Sequence, residues 1–378
     1  MRQLSVFLFL FLAALIAYIV AGYPLLLAWM ARRSPSPTRK GGAPKSISVI
    51  IAVHNGEAFL ADKLLSILDS GYPAELMEIL VVSDGSSDNT EEIAKRFASR
   101  GAVLLHVPRG GKPRALNAAI PQARGEILVL TDVRQVLEPQ SLNRLVECFE
   151  DPSVGVVSGD LIIRDGVTSG EKNVGMYWRY ERAIRKNLGG LDSMFGATGP
   201  FYAMRRDLAV PIPEDSLLDD MYLPLAAFFR GYRLIVEERA RAFDYPTGIQ
   251  TEFGRKVRTL AGNYQILGHY PALLTPRNRM LFHYLSYKIA RLALPWIVVL
   301  IGLVSFSLPS PWNFAALIPQ AGFYLLAAVD GAIPAGSKLK RIASLARTVV
   351  TLLTASILAL RIFFVAPRDL WKPTQISK

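Results

Sequence analysis

The sequence predicts an α/β fold in which a mostly parallel, Rossmann-like sheet is joined to transmembrane α-helices. Residues 46–53 form a nearly continuous β-branched and apolar run, which is typical of a strand buried on both faces of a parallel sheet. Further apolar runs alternate with stretches of helical spacing, which favours a doubly wound sheet. Residues 4–30 carry no charge and are long enough to cross a bilayer.

The composition suits a protein that works at a membrane surface. The chain has 378 residues, of which 51% are hydrophobic, and its mean hydropathy is +0.27. Its 43 basic and 31 acidic residues give a net charge of +12, which favours anionic lipids and phosphorylated substrates. A nucleic-acid partner is not expected, because basic and aromatic residues do not interleave outside the membrane flanks. The single Cys148 excludes an internal disulfide and suits the cytosol.

Three more apolar runs predict helices near the C-terminal end. They are residues 292–308, residues 312–329 and residues 348–366, and the last of them contains Arg361. For the last two runs a buried helical hairpin is the alternative, and for the first span of the chain it is a cleaved signal peptide. The basic segment 32–45 follows the first span, so the positive-inside rule places the domain after it in the cytoplasm. We therefore expect a multi-pass integral protein of the inner or plasma membrane.

Polar side chains follow successive strands of the predicted sheet. Asp84 comes after the strand at 77–82, and Asp132 comes after the strand at 126–131. Open α/β sheets bind ligands at the carboxyl ends of their strands. Lys112 follows two glycines at a helix start, where it could reach a phosphate, although each of these residues alone could equally be a solvated loop side chain. The absence of a G-x-G-x-x-G or P-loop motif argues against a dinucleotide enzyme and a P-loop ATPase.

Taken together, these motifs resemble glycosyltransferase family 2, the membrane-embedded inverting enzymes with a GT-A catalytic domain. The matching segments are 47–55, 83–88, 111–112, 115–117, 131–134 and 218–220, within a resemblance that covers residues 46–265. The resemblance implies transfer of a hexose or N-acetylhexosamine from a UDP-sugar to a polysaccharide or lipid-linked glycan. By the same resemblance the donor site comprises Val53, Asn55, Asp84, Gly111, Lys112, Asn117, Asp132 and Arg134.

The metal motif departs from the family pattern. The family reads Asp-x-Asp where this chain has Asp132 followed by Arg134, and an arginine has no lone pair for a cation. Either Asp132 holds Mg²⁺ or Mn²⁺ with phosphate and water completing the shell, or Arg134 itself neutralises the diphosphate.

The adjacent acids Asp219 and Asp220 are the candidates for general base. A sugar hydroxyl that attacks an anomeric carbon needs a base within hydrogen-bond reach, and a neighbouring carboxylate can tune its pKa. The resemblance assigns Asp220 as the base with Asp219 in support, although both acids could instead cap a helix. Arg258 alone matches the family's Gln-x-x-Arg-Trp motif, where it would hold the leaving diphosphate. The missing tryptophan puts processive polymerisation by the known route in doubt.

We expect six segments along the chain. They are an N-terminal transmembrane helix at 1–31, a basic linker at 32–45, the GT-A domain at 46–250, amphipathic interfacial helices at 251–285, about three transmembrane helices at 286–366 and a tail at 367–378. About four transmembrane helices are too few to surround a wide channel. If a growing polymer crosses the membrane through this protein, we therefore expect an oligomer. Two alternatives stay open: transfer of one sugar to a polyprenyl phosphate, and a GT-A-like membrane partner without catalysis.

Overall fold

The computed structural model describes residues 2–163, 169–245, 249–334 and 337–370. Its strands are β1 (Ile47–Val53), β2 (Met77–Asp84), β3 (Ala102–Val107), β4 (Ile127–Thr131), β5 (Val136–Leu137), β6 (Val154–Ile163), β7 (Phe201–Arg205) and β8 (Arg233–Asp244). Its α-helices are α1 (Arg2–Ala17), α2 (Tyr23–Arg33), α3 (Glu57–Leu68), α4 (Thr90–Arg96), α5 (Lys112–Ala119), α6 (Ser141–Val146), α7 (Ser169–Leu191), α8 (Asp219–Phe229), α9 (Ile249–His269), α10 (Leu281–Tyr284), α11 (Ala290–Phe306), α12 (Trp312–Val329) and α13 (Lys338–Leu358).

The strands of the described chain form one sheet in the order β3-β2-β1-β4-β7-β6-β8-β5. The pairs β1–β2, β1–β4, β2–β3 and β6–β8 are parallel, whereas β7 runs antiparallel to both β4 and β6. Every residue of β4 and all but one of β1 are buried, as their uninterrupted apolar sequences predict. The predicted α/β fold with a mostly parallel sheet is confirmed.

This topology gathers polar residues at one edge of the sheet. Because β1, β2 and β4 are parallel, the residues that follow them emerge on the same side. The antiparallel β7 begins where β4 ends, and its first residue, Phe201, pairs with Thr131. The loop that leads into β7 therefore meets the carboxyl end of β4.

A second compact unit contains α1 and α2, the first part of α7, and the chain from α9 onward. Leu12 of α1 packs against Ile301 and Val304 of α11. Just after the end of α1, the hydroxyls of Tyr18 and Ser286 lie 2.8 Å apart. These contacts hold the N-terminal helix against the C-terminal helices within the unit.

Four helical segments of the described chain are long and apolar enough to cross a membrane. They are Arg2–Arg33, Leu281–Phe306, Trp312–Ala332 and Lys338–Phe363. Each overlaps one of the apolar runs in the sequence. Three begin earlier in the chain than that run, because charged residues within their first turns interrupt the apolar pattern. The orientation of these helices and the domain boundaries stay predictions, and most of the predicted tail at 367–378 lies outside the described residues.

Candidate active site

Lys112 forms the centre of a charged cluster at the carboxyl edge of the sheet. Its Nζ lies 2.9 Å from Oδ1 of Asp132, at the tip of β4, and 3.1 Å from Oδ2 of Asp219, at the start of α8. Burial acts to lower the pKa of Lys112, but the two carboxylates outweigh it and raise that pKa well above its ordinary value. Burial likewise acts to raise the pKa of Asp132, and Lys112 reverses the effect, so the pKa of Asp132 is lowered. The cluster is therefore a protonated lysine between two carboxylates.

Asp84 fixes the loop that precedes Lys112. Its carboxylate accepts hydrogen bonds from the backbone N–H groups of Gly110, at 2.7 Å, and of Gly111, at 3.0 Å, and from the guanidinium of Arg109. Only 2% of the Asp84 surface is exposed, so these bonds occupy a carboxylate that water reaches poorly. Gly111 has a φ of +89°, a conformation that suits glycine. The contact of Asp84 with a base, expected from the resemblance, stays a prediction.

A buried lysine, Lys63, holds the carboxyl end of β4 through hydrogen bonds. Nζ of Lys63 donates to Oγ1 of Thr131 and to the carbonyl of Gln135, both at 2.6 Å. Burial lowers the pKa of Lys63 to about 7, and the charge of Asp132 opposes this shift. Thr131 in turn donates to the carbonyl of Pro200 at 2.7 Å, which ties the tip to the loop before β7.

Arg134 points to a different partner. Its Nε and Nη2 donate to the two carboxylate oxygens of Asp244 at 2.8 and 2.5 Å, in the bidentate geometry that suits a guanidinium. Asp244 is 2% exposed and also accepts from Nε2 of Gln135 at 3.0 Å and from the backbone N–H of Tyr245 at 2.8 Å. The ion pair fastens the segment after β4 to the end of β8.

The glycine-rich loop before β7 positions Asp220. The backbone N–H of Gly199 donates to Oδ2 of Asp220 at 3.1 Å, and the backbone N–H of Ala197 donates to its carbonyl at 2.7 Å. A Cβ on Gly199 would lie 2.7 Å from that carboxylate oxygen, and a Cβ on Gly196 would lie 2.5 Å from Cγ of Met221. Both glycines are thus needed for the close approach of the loop to α8.

Tyr202 lies behind the acids. Its side chain is completely buried, and within the described ranges its hydroxyl has no hydrogen-bond partner. Burial raises the pKa of Tyr202 well above its ordinary value, and the charges of Asp219, Asp220 and Asp132 raise it further. The phenol is therefore neutral and carries a proton that it can donate.

Three of the predicted donor-site residues have structural roles, two through hydrogen bonds and one through burial. Asn55, at a φ of +51°, accepts from the backbone N–H of Ser87 at 2.8 Å and so joins the loops after β1 and β2. Val53 is buried at the end of β1. Asn117 exchanges two hydrogen bonds with the backbone of Ile212, at 2.7 and 2.8 Å. Their contacts with a donor nucleotide stay predictions.

The structure thus brings Lys112, Asp132 and Asp219 into direct contact, and Asp220 joins them through the glycine-rich loop. Arg258 lies on α9 in the second compact unit, and its role at the diphosphate stays a prediction.

Sequence reasoning missed Lys63, Arg109, Tyr202 and Asp244. Lys63 had a detectable signal, because it interrupts the apolar face of α3 between Leu60, Leu64 and Ile67. The other three emerge only from long-range pairing.

The donor set fits a divalent cation poorly. Mg²⁺ and Mn²⁺ prefer several oxygen ligands, and Asp132 is the only carboxylate that the tip of β4 supplies. Its Oδ1 already accepts from Lys112, and Arg134 stands where a second acid would be needed. Across the part of the chain that the structure describes, no three His, Cys, Asp or Glu side chains group as metal ligands.

The sequence matches known glycosyltransferases. Residues 48–210 match the family profile described as Glycosyl transferase family 2. A poly-beta-1,6-N-acetyl-D-glucosamine synthase of Staphylococcus epidermidis is 25% identical over 272 residues, which cover 69% of this chain and 65% of that protein. The synthase of the same name from Staphylococcus aureus strain COL is 25% identical over 232 residues, covering 59% of this chain and 56% of that protein. The chain therefore spans less than two thirds of the length of these relatives.

A solved structure shares the fold. A mannosyltransferase from Pyrobaculum calidifontis, in complex with GDP-Man and Mn²⁺, superimposes with a TM-score of 0.71 at 22% identity. The superposition covers 94% of this chain and 99% of that one. At 22% identity this likeness shows a shared fold alone.

Proposed function

We propose that this chain, whose residues 48–210 match the Glycosyl transferase family 2 profile, is a membrane-bound inverting glycosyltransferase. It moves a sugar from a UDP-sugar to a glycan acceptor at the cytoplasmic face of the membrane. The four apolar helical segments anchor it there.

One observation carries the proposal: a candidate base and a candidate phosphate-binding cation meet at the carboxyl edge of one sheet. The carboxylate of Asp220 is held by the N–H of Gly199 at 3.1 Å, and Lys112 bridges Asp132 and the neighbouring Asp219. An inverting transfer needs these two functions within one sugar's reach of each other.

Each side chain then has a chemical task. Asp220 accepts the proton of the acceptor hydroxyl as its oxygen forms the new bond to the anomeric carbon. Lys112 donates to the diphosphate as the bond between the anomeric carbon and the phosphate oxygen breaks and its electron pair stays on the diphosphate. Asp219 and Asp132 keep Lys112 protonated and oriented through this change of charge.

We infer an N-acetylhexosamine donor and a polysaccharide acceptor from the relatives, which are named as N-acetyl-D-glucosamine polymer synthases. UDP-N-acetylglucosamine is therefore the first donor to test. Binding of membrane lipids and assembly into an oligomer remain proposals.

The test is release of UDP by the detergent-purified protein over a panel of UDP-sugars, beside the variants Asp220→Asn and Asp207→Asn. Asp207 is an exposed acid just after β7 and serves as the matched control. We expect turnover with one sugar, a loss of about 10²–10⁴-fold in Asp220→Asn, and wild-type activity in the control.

Two outcomes would overturn the proposal in different ways. A polyprenyl phosphate acceptor is already ionised and needs no strong base, so turnover that survives Asp220→Asn would favour that acceptor. Measurable UDP binding without turnover of any donor, with both glycan and polyprenyl-phosphate acceptors supplied, would favour a partner that has lost catalysis.

A further inference from the structure

The tip of β4 is occupied by the protein's own cations. Arg134 cannot ligate a metal, and its bidentate pair with Asp244 resists displacement. Asp244 is 2% exposed, and leaving such a carboxylate unpaired would strongly destabilise the fold. Arg134 therefore remains on Asp244 and neither provides a second oxygen ligand nor turns to the substrate.

Lys112 holds the remaining carboxylate. Its Nζ is 2.9 Å from Oδ1 of Asp132, one of the two oxygens through which that carboxylate could ligate a cation. The same ammonium is 3.1 Å from Oδ2 of Asp219, and the backbone just before Lys112 is fixed by the bonds from Gly110 and Gly111 to Asp84. A cation that bound Asp132 through Oδ1 would have to displace an ammonium that also contacts Asp219. The arrangement therefore disfavours a divalent cation because Lys112 already occupies the carboxylate and because too few oxygen ligands are available.

We propose that the ammonium of Lys112, braced between Asp132 and Asp219, supplies the positive charge at the diphosphate, so that sugar transfer by this chain needs no divalent cation. The inference rests on the proposed function and specifies how its leaving group is stabilised. The balance of the reaction is complete without a metal: the electron pair of the broken bond stays on UDP, and the acceptor's proton goes to Asp220. The added negative charge on the diphosphate is met by the third N–H of the Lys112 ammonium, beyond the two that face Asp132 and Asp219.

Two measurements on the wild-type protein test this inference. The first is UDP release with chelator and with Mn²⁺, where we expect rates that agree within about twofold, a difference of about 0.4 kcal/mol or less in activation free energy. The second is Mn²⁺ binding in the presence of UDP, followed by the electron paramagnetic resonance signal of free Mn²⁺, where we expect affinity no tighter than that of UDP alone.

A pair of variants makes the test reciprocal. Arg134→Asp combined with Asp244→Asn restores a second acid at the tip and removes the buried charge that Arg134 neutralised. Arg134→Asn combined with Asp244→Asn breaks the same ion pair without adding an acid. We expect the first double variant to bind Mn²⁺ with UDP at least about tenfold more tightly than the second, a gain of about 1.4 kcal/mol.

The outcomes separate the inference from the proposed function. Loss of wild-type turnover in chelator with recovery in Mn²⁺, or tight Mn²⁺ binding by the wild-type protein with UDP, overturns the inference and leaves the glycosyltransferase intact. Absence of turnover under both conditions with every donor and acceptor counts against the proposed function. The Mn²⁺ titration then still decides whether Lys112 excludes the metal.

Discussion

Replacing Gly199 by alanine would test whether the glycine-rich loop sets the position of the candidate base. The added Cβ would lie 2.7 Å from Oδ2 of Asp220, whereas ordinary contact begins at 3.4 Å. The carboxylate must therefore retreat by about 0.7 Å, which its side-chain rotation allows without unfolding the loop. Since a misplacement of about 1 Å at a reacting group can cost about 10²-fold, we expect kcat to fall by about 10- to 10²-fold.

The assay is UDP release at saturating donor, together with the midpoint of thermal unfolding. Gly190→Ala is the matched control, because Gly190 is an exposed helical residue of α7 and a Cβ there would meet nothing within 4 Å. We expect Gly199→Ala to keep both its KM for the donor and a thermal midpoint near that of the control. Wild-type kcat in Gly199→Ala, with Asp220→Asn inactive, would refute the idea that this loop determines where the base lies.

Three further predictions concern the scaffold. Arg134→Gln should destabilise the protein by about 3–5 kcal/mol by stranding the buried Asp244, and adding Asp244→Asn should recover most of the lost thermal midpoint; equal midpoints in the single and double variants would contradict this. Burial lowers the pKa of Lys63 to about 7 from an ordinary 10.5, so between pH 7 and 10.5 the unfolded chain binds one proton more than the folded chain. The stability of the wild type relative to Lys63→Met should therefore rise as the pH increases through that range. A difference in thermal midpoint that does not depend on pH would rule the shift out. Asn117→Ala should cost about 1–3 kcal/mol because two bonds to the backbone of Ile212 disappear, with KM for the donor unchanged, and a raised KM at full stability would instead indicate donor contact.

The fold was predictable because local patterns determine it. The β-branched run of β1 and the unbroken apolar sequence of β4 identify strands buried on both faces, and such strands belong to parallel sheets. The helical segments that could cross a membrane were recognisable from their lack of charge. Their starts were less predictable, since Lys338 and its basic neighbours belong to the last such segment although hydropathy alone leaves them out.

The candidate site was only partly predictable. Lys112, Asp132 and Asp219 follow or precede regular elements, so the rule for strand ends brings them to one edge of the sheet. The partner of Arg134 was not predictable, because Asp244 is 110 residues away and reaches it only through the pairing of β5 with β8. Periodicity reports which face a residue occupies and carries no information on which distant charge it meets.

The backbone hydrogen bonds to the Asp84 carboxylate affect how variants at this site are interpreted. One carboxylate receives the N–H groups of Gly110 and Gly111, and the next residue in the chain is Lys112. A substitution of Asp84 would therefore shift Gly110 and Gly111 and, with them, the position of Lys112 in the charged cluster. Weaker nucleotide affinity in an Asp84 variant would mix two origins, a lost contact to the base and a displaced ammonium, and the affinity for uridine compared with that for UDP separates the two.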